Sequence, residues 1–201
     1  IDQNRVSAPY WRSIARGKHI FTTCMEEYNG NIYAEFKRYT GLSIDEYYLC
    51  SLMILSQYAD VTIEKVSSDS SKCGLFCMNT MLDNATDDSK QIMNKYIASE
   101  GQTPEMLRSS LINDPNSIDP HAEMDMSFLI NKPLVISSGS TRMGVVLDLV
   151  SYNKKVALAP HIILQNAYSD SPAKIERLKK DLGHAFEEKY VSSILSSMFA
   201  D

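Results

Sequence analysis

Residues 43–58 constrain the fold of this chain more than any other stretch. Ser43-Ile44-Asp45-Glu46 has the form of a capping box, in which the Ser43 hydroxyl accepts from the Glu46 amide and the Glu46 carboxylate reaches back. Asp45 and Glu46 also fall where the helix dipole favours negative charge. The helix that starts here is expected to run to about Tyr58. Tyr47, Tyr48, Leu49, Leu52, Met53, Ile54 and Leu55 make it apolar over more than half its circumference. A helix of that kind belongs in the middle of a bundle. Val61, Ile63 and Val66 continue the pattern raggedly.

The neighbouring segments supply the rest of such a bundle. After Pro9, the apolar series Tyr10, Trp11, Ile14, Ile20 and Phe21 is irregular and broken by Gly17, which predicts one or two short helices. Asn29-Gly30 marks a turn. Ile32, Tyr33, Phe36 and Tyr39 then share one helical face, and Gly41 stops that helix. Ser67 to Ser71 reads as a polar loop, and Leu75 to Leu82 as a short apolar segment of helical character. Thr86-Asp87-Asp88 offers an N-cap and an acidic first turn to a helix carrying Ile92, Met93, Tyr96 and Ile97 and ending at Gly101. Thr103-Pro104-Glu105 starts another in the favoured order of cap, proline and acid.

Asn113 to Pro120 holds two prolines among turn formers and cannot be a regular element. Beyond it, Phe128-Leu129-Ile130 and Leu134-Val135-Ile136 read as extended segments on either side of Asn131-Lys132-Pro133. Val145 to Val150 and Val156 to Leu164 are too short for their period to separate helix from strand, and Pro160 would interrupt a helix spanning both. Ser171-Pro172 opens a final helix on which Ile175, Leu178, Leu182, Phe186, Tyr190, Ile194 and Met198 advance by three or four residues at a time. At 1.5 Å per residue it would be about 40 Å long. The expected fold is mainly α, a helical bundle with one or two short extended segments. It divides into a bundle over 9–112, a Pro-rich linker over 113–125 and a smaller, mostly helical region over 126–201. Ile1 in place of methionine, and an apolar-striped helix at the end, suggest a portion of a larger architecture.

Lys plus Arg number 20 against 25 Asp plus Glu, a formal charge of −5, so no global cationic field gathers nucleic acid or anionic lipid. Local patches are the remaining route: Arg12, Arg16 and Lys18, or Lys174, Arg177, Lys179 and Lys180 on the final helix. No run reaches the roughly 20 apolar residues of a spanning helix, and the N-terminus lacks signal-peptide order. A soluble, cytoplasmic protein without cofactor or membrane contact is the expectation. Cys24, Cys50, Cys73 and Cys77 are expected as reduced thiols. A zinc site would want a second pair beside Cys73 and Cys77.

Each motif with chemical potential has a plainer reading beside it. Glu187-Glu188-Lys189, with Asp170 upstream, imitates half of a metal-dependent nuclease site, yet it sits on a helix where a solvated face explains it. His121, Glu123 and Asp125 could converge if extended, but they follow the Pro-rich loop. Gly139 to Gly144 has the glycine spacing of a phosphate loop without its Gly-Lys-Ser/Thr ending. His19, His161 and His184 have no recurring partners. Tyr28, Tyr33, Phe36, Tyr39, Tyr47 and Tyr48, interleaved with Lys37 and Arg38, could stack bases, although at helical spacing such residues usually form core. No catalytic, cofactor-binding or metal-binding residue is assigned from these.

Three segments occur in a telling order: Gly41-Leu-Ser-Ile-Asp-Glu-Tyr-Tyr48 before an apolar helix, Asn131-Lys-Pro-Leu-Val135, and Leu182-Gly-His-Ala-Phe-Glu187 followed by Tyr190-Val191. Together they resemble the helical N-terminal region of large bacterial proteins that carry a C-terminal nuclease-like domain of the restriction-endonuclease superfamily. The last segment departs by one extra residue between Phe186-Glu187 and Tyr190-Val191. The resemblance implies a role in scaffolding, recognition or regulation, with catalytic residues outside this sequence. The leading expectation is therefore a non-catalytic helical module, with a protein partner or a further C-terminal domain packed on the 171–199 helix; a homo-oligomer is compatible. A free-standing metal-dependent nuclease and a nucleic-acid-binding regulator are the alternatives.

Overall fold

The Ser43 amide donates to Glu46 Oε2 at 2.7 Å and the Glu46 amide to Ser43 Oγ at 3.1 Å, so the capping box closes in both directions. A computed structural model describes residues 3–66, 75–111 and 132–199. From this cap the helix runs over Ile44–Val66, longer than its strongest apolar pattern, and Tyr47, Tyr48, Cys50, Ser51, Ile54 and Leu55 are buried on it. It is the third helix, α3. Before it come α1 (Gln3–His19), a π-helical turn (Ile20–Cys24) and α2 (Ile32–Thr40). Gly41 ends α2 with φ 72°, a left-handed conformation that glycine adopts without strain.

Gly17 does not break α1. A Cβ at this position would lie 2.1 Å from the Ala157 carbonyl oxygen, so the glycine is where α1 meets another backbone. A glycine expected from its sequence to break the helix serves instead a close approach between two elements.

After α3, the segment read as one short helix is a strand followed by a helical turn: β1 (Leu75–Cys77) and α4 (Met78–Leu82). The Thr86 hydroxyl accepts from the Ser89 amide to cap α5 (Asp87–Glu100), which passes at Gly101 into β2 (Gly101–Gln102). Thr103 caps α6 (Pro104–Leu111) in the same way, accepting from the Met106 amide. The polar loop 67–71, the linker 113–125, the His121–Asp125 group and Phe128–Ile130 lie outside the described residues.

The chain resumes with β3 (Leu134–Ile136) and β4 (Met143–Val146), joined by a turn through Gly139. Among the described residues the strands form one sheet in the order β1-β4-β3-β2, antiparallel except between β2 and β3. Leu134, Val135 and Ile136 are all buried, as befits a central strand. Gly144 lies against the Phe76 and Ile136 side chains, 2.5 Å and 2.9 Å from where a Cβ would stand. The glycine pair 139 and 144 thus serves a hairpin and a crowded sheet, and the loop between them leads into a strand, where a phosphate loop would lead directly into a helix N-terminus.

The ambiguous stretch 145–164 resolves into the end of β4, then α7 (Leu149–Ala157) and α8 (Ala159–Ala167). Asp148 caps α7 by accepting from the Val150 and Ser151 amides, and Pro160 occupies the first turn of α8, where its missing N–H costs nothing. The expected final helix is interrupted: α9 (Pro172–His184) passes into a second π-helical turn (Ala185–Val191) and then α10 (Ser192–Phe199). The additional residue noted near Glu188 and Lys189 falls inside that π-helical turn.

The protein is mainly α with a small sheet. Its core gathers Ile14, Phe21, Phe36, Tyr47 and Tyr96 with Leu134, Tyr152, Leu164 and Ala185. Residues on both sides of the 113–125 segment therefore share one apolar cluster. The aromatic residues at helical spacing are largely core. Phe36 meets Tyr47 edge-on at 5.5 Å, while Tyr39 stays at the rim with the Arg38 guanidinium 4.7 Å above its ring.

Cysteine reactivity follows from burial. Desolvation pushes the Cys50 thiol up to about 12 and raises that of Cys24, whereas a hydrogen bond from the Thr80 hydroxyl lowers that of Cys77. In a Cys73→Ser background at pH 8, iodoacetamide is expected to label Cys77 first. The thiolate fraction at Cys50 is smaller by on the order of a thousandfold. Mass spectrometry that found Cys50 labelled as fast as Cys77 would contradict the burial of α3.

Candidate functional site

The last helix stands out because it is apolar and unburied. No residue of Ser192–Phe199 is buried, and Met198 and Phe199 are 70% and 77% exposed. Phe186, Ile194 and Leu195 extend the same exposed surface back toward the π-helical turn. This segment carries no charge, with serines filling its other face.

A polar tie fixes the root of that helix to the rest of the protein. The second π-helical turn packs on the first, Ile20–Cys24. Around this contact the Tyr28 hydroxyl donates to Glu188 Oε2 at 2.6 Å, and His184 Nδ1 lies 2.8 Å from Glu188 Oε1. The His184 ring stacks on Tyr28 with centroids 5.7 Å apart, and Lys189 pairs with Glu27. Glu188 and Lys189, two members of the nuclease-like motif, are thus engaged in exposed structural pairs. Among the described residues, no group of three His, Cys, Asp or Glu side chains converges on a metal-sized site.

The tie titrates at both ends of the pH scale. The Tyr28 hydrogen bond, and then that of His184, hold the Glu188 carboxyl below its usual range, while the same carboxylate pushes Tyr28 up to about 12. A lowered carboxyl contributes stability above its unfolded pKa, lost as pH falls through the folded value. A raised phenol contributes stability below pH of about 10, lost as pH rises toward its folded value. The difference in Tm between the native chain and Tyr28→Phe is therefore expected to be widest between pH 5 and about 10 and to shrink on either side. A difference flat across that range would show that the tie adds nothing.

The proposed basic patch is divided by its helix. Lys174, Arg177, Lys179 and Lys180 are all exposed on α9. Lys174 lies over the Tyr168 ring at 5.1 Å, and Arg177 Nε is 3.7 Å from Asp181 Oδ2. Lys179 instead approaches His161, whose pKa is lowered by burial first and by this ammonium second. Lys179 stands about 140° around the helix from Lys174, so the four cations do not share one face. Of the N-terminal group, Lys18 pairs with Asp45 at 2.9 Å, and Arg12 and Arg16 are exposed.

No family model, curated protein or solved structure matches this chain. Among the described residues, no helix is long and apolar enough to cross a membrane.

A second feature escaped the sequence reading. Glu100, only 3% exposed, pairs through Oε2 with Lys155 Nζ at 2.6 Å. Its other oxygen accepts from the Ser99 hydroxyl at 3.0 Å. Behind the pair, the Ser51 hydroxyl donates to the Tyr47 carbonyl at 2.8 Å. The Tyr96 hydroxyl lies 2.9 Å from that of Ser51 and 2.8 Å from that of Tyr152. Burial raises the pKa of Tyr47 and Tyr96 well above the ordinary phenol value, so the network stays protonated. In front of the pair opens a cleft of about 750 Å³ between the end of α5, α7 and α8. One signal in the sequence pointed here: Glu100 ends a helix, where the dipole disfavours an acid unless a cation answers it.

Proposed function

We propose that this chain is a non-catalytic helical module that docks a nuclease-like domain on the apolar stripe of α10. The observation that carries the reading is a helix of eight residues that buries nothing while presenting Ile194, Leu195, Met198 and Phe199 to solvent. A contiguous exposed apolar face of this kind marks an interaction site. The choice of occupant is supported by the resemblance: Leu182–Glu187 and Tyr190-Val191 lie on the helix that carries the stripe, and in the similar proteins this region leads toward the nuclease-like domain. Absence of charge on 192–199 fits a partner face that is itself apolar.

The test is to express the whole reading frame that encodes this chain and compare its hydrogen exchange with that of the 201-residue chain. The expected product contains a nuclease-like domain, and in its presence the amides of 192–199 exchange on the order of a hundredfold more slowly. Met198→Asp with Phe199→Asp should abolish that protection while changing the stability of the isolated chain by less than about 0.5 kcal/mol. A reading frame without such a domain, or equal exchange in both proteins, overturns the proposal.

A further inference from the structure

We propose that the cleft between α5, α7 and α8 binds a phosphomonoester carrying a compact apolar group. Its volume of about 750 Å³ is that of a small-molecule site. The lining is of two chemical kinds. Lys132, Lys154, Lys155 and Glu100 line it, with Ser99 and Ser151. Leu158, Ile162 and Ile163 add apolar surface beside them, and Leu158, four residues on from Lys154, is left 46% exposed at the junction of α7 and α8.

Three ammoniums face one carboxylate in a protein whose net charge is −5, so the cleft locally reverses the sign of the molecule. Glu100 is committed to Lys155. Lys132 Nζ is held 3.4 Å from the Gly101 carbonyl, and Lys154 approaches Asp148 without an ion pair. That carboxylate is already taken by the Val150 and Ser151 amides and the Ser151 hydroxyl. Two lining ammoniums, those of Lys132 and Lys154, thus remain without an ion pair among the described residues. A phosphomonoester brings close to two negative charges at neutral pH, and lysine meets phosphate as a mobile point charge. The Leu158, Ile162 and Ile163 surface asks for more than inorganic phosphate, because water left against it gains nothing.

Calorimetric titration of the 201-residue chain with phenyl phosphate at low ionic strength tests the site, with inorganic phosphate and benzyl alcohol as the other arms. Phenyl phosphate is expected to bind once, with Kd below about 1 mM. Lys132→Met and Lys154→Met should each weaken it by roughly tenfold. Lys154 is exposed and Lys132 half-buried, and circular dichroism should confirm an unchanged fold. Inorganic phosphate should bind at least about tenfold more weakly, and benzyl alcohol not measurably. The proposal is overturned by the absence of saturable binding, by binding that neither lysine variant alters, or by equal affinity for inorganic phosphate. The cleft is distant in sequence from α10, and none of these outcomes bears on the docking of that helix.

Discussion

Gly17→Ala is expected to destabilise the protein by about 3 kcal/mol, and Gly183→Ala to stabilise it by about 0.5 kcal/mol. Both glycines lie inside helices, where alanine has the better intrinsic propensity. What separates them is the space around them. A Cβ on Gly17 would lie 2.1 Å from the Ala157 carbonyl oxygen, which is backbone and cannot rotate away, whereas a Cβ on Gly183 would have no heavy atom within 4 Å. The same carbonyl accepts from the buried Tyr48 hydroxyl at 3.2 Å, so a shift of α7 away from α1 would disturb α3 as well. Urea denaturation of the two variants reads the signs directly. Equal effects would mean that α1 does not cross α7 at Gly17.

Lys155→Met should cost about 3–5 kcal/mol by leaving Glu100 buried and unpaired, and Glu100→Leu combined with Lys155→Met should recover most of that loss. The asymmetry is the informative part. An ion pair excluded from water repays its desolvation only while both partners are present. Replacing both by apolar side chains of similar length removes the charge and the penalty together. Here Glu100 is nearly inaccessible and receives one further hydrogen bond, from Ser99, so little solvent can compensate for the missing ammonium. Denaturant titrations of the two variants and the native chain at pH 7 decide the matter. A double variant as unstable as Lys155→Met would show that Glu100 and Lys155 act separately.

The sequence was most legible where structure is local. The Ser43, Thr86 and Thr103 caps and the Gly41 stop each depend on a few consecutive residues, and each closes as its spacing requires. It was least legible where distant segments meet. Gly17 as a breaker and Gly17 as a contact look the same until Ala157 is placed beside it. Leu75–Cys77 becomes a strand because β4 lies alongside, although its own pattern continues into α4. The short runs between 145 and 164 were undecidable by period, but Asp148 and Pro160 already marked the two helix starts. Of the two candidate surfaces, the α10 stripe was visible as a spacing. The cleft showed only as an acid at the end of α5, because the lysine that answers Glu100 is 55 positions away.

The spacing on the last helix carries one more consequence. From Leu178 to Met198 the apolar residues advance by five successive steps of four. On a regular α-helix each such step overruns a full turn by about 40°, so five would carry the stripe roughly to the opposite side of the axis. The π-helical turn at Ala185–Val191 has more residues in each turn and takes up part of this overrun. Removing a single residue from it would leave α10 equally helical and equally apolar, but rotated by about 100° relative to α9. The π-helical turn therefore sets a compass bearing: it decides toward which side of the molecule the stripe is aimed.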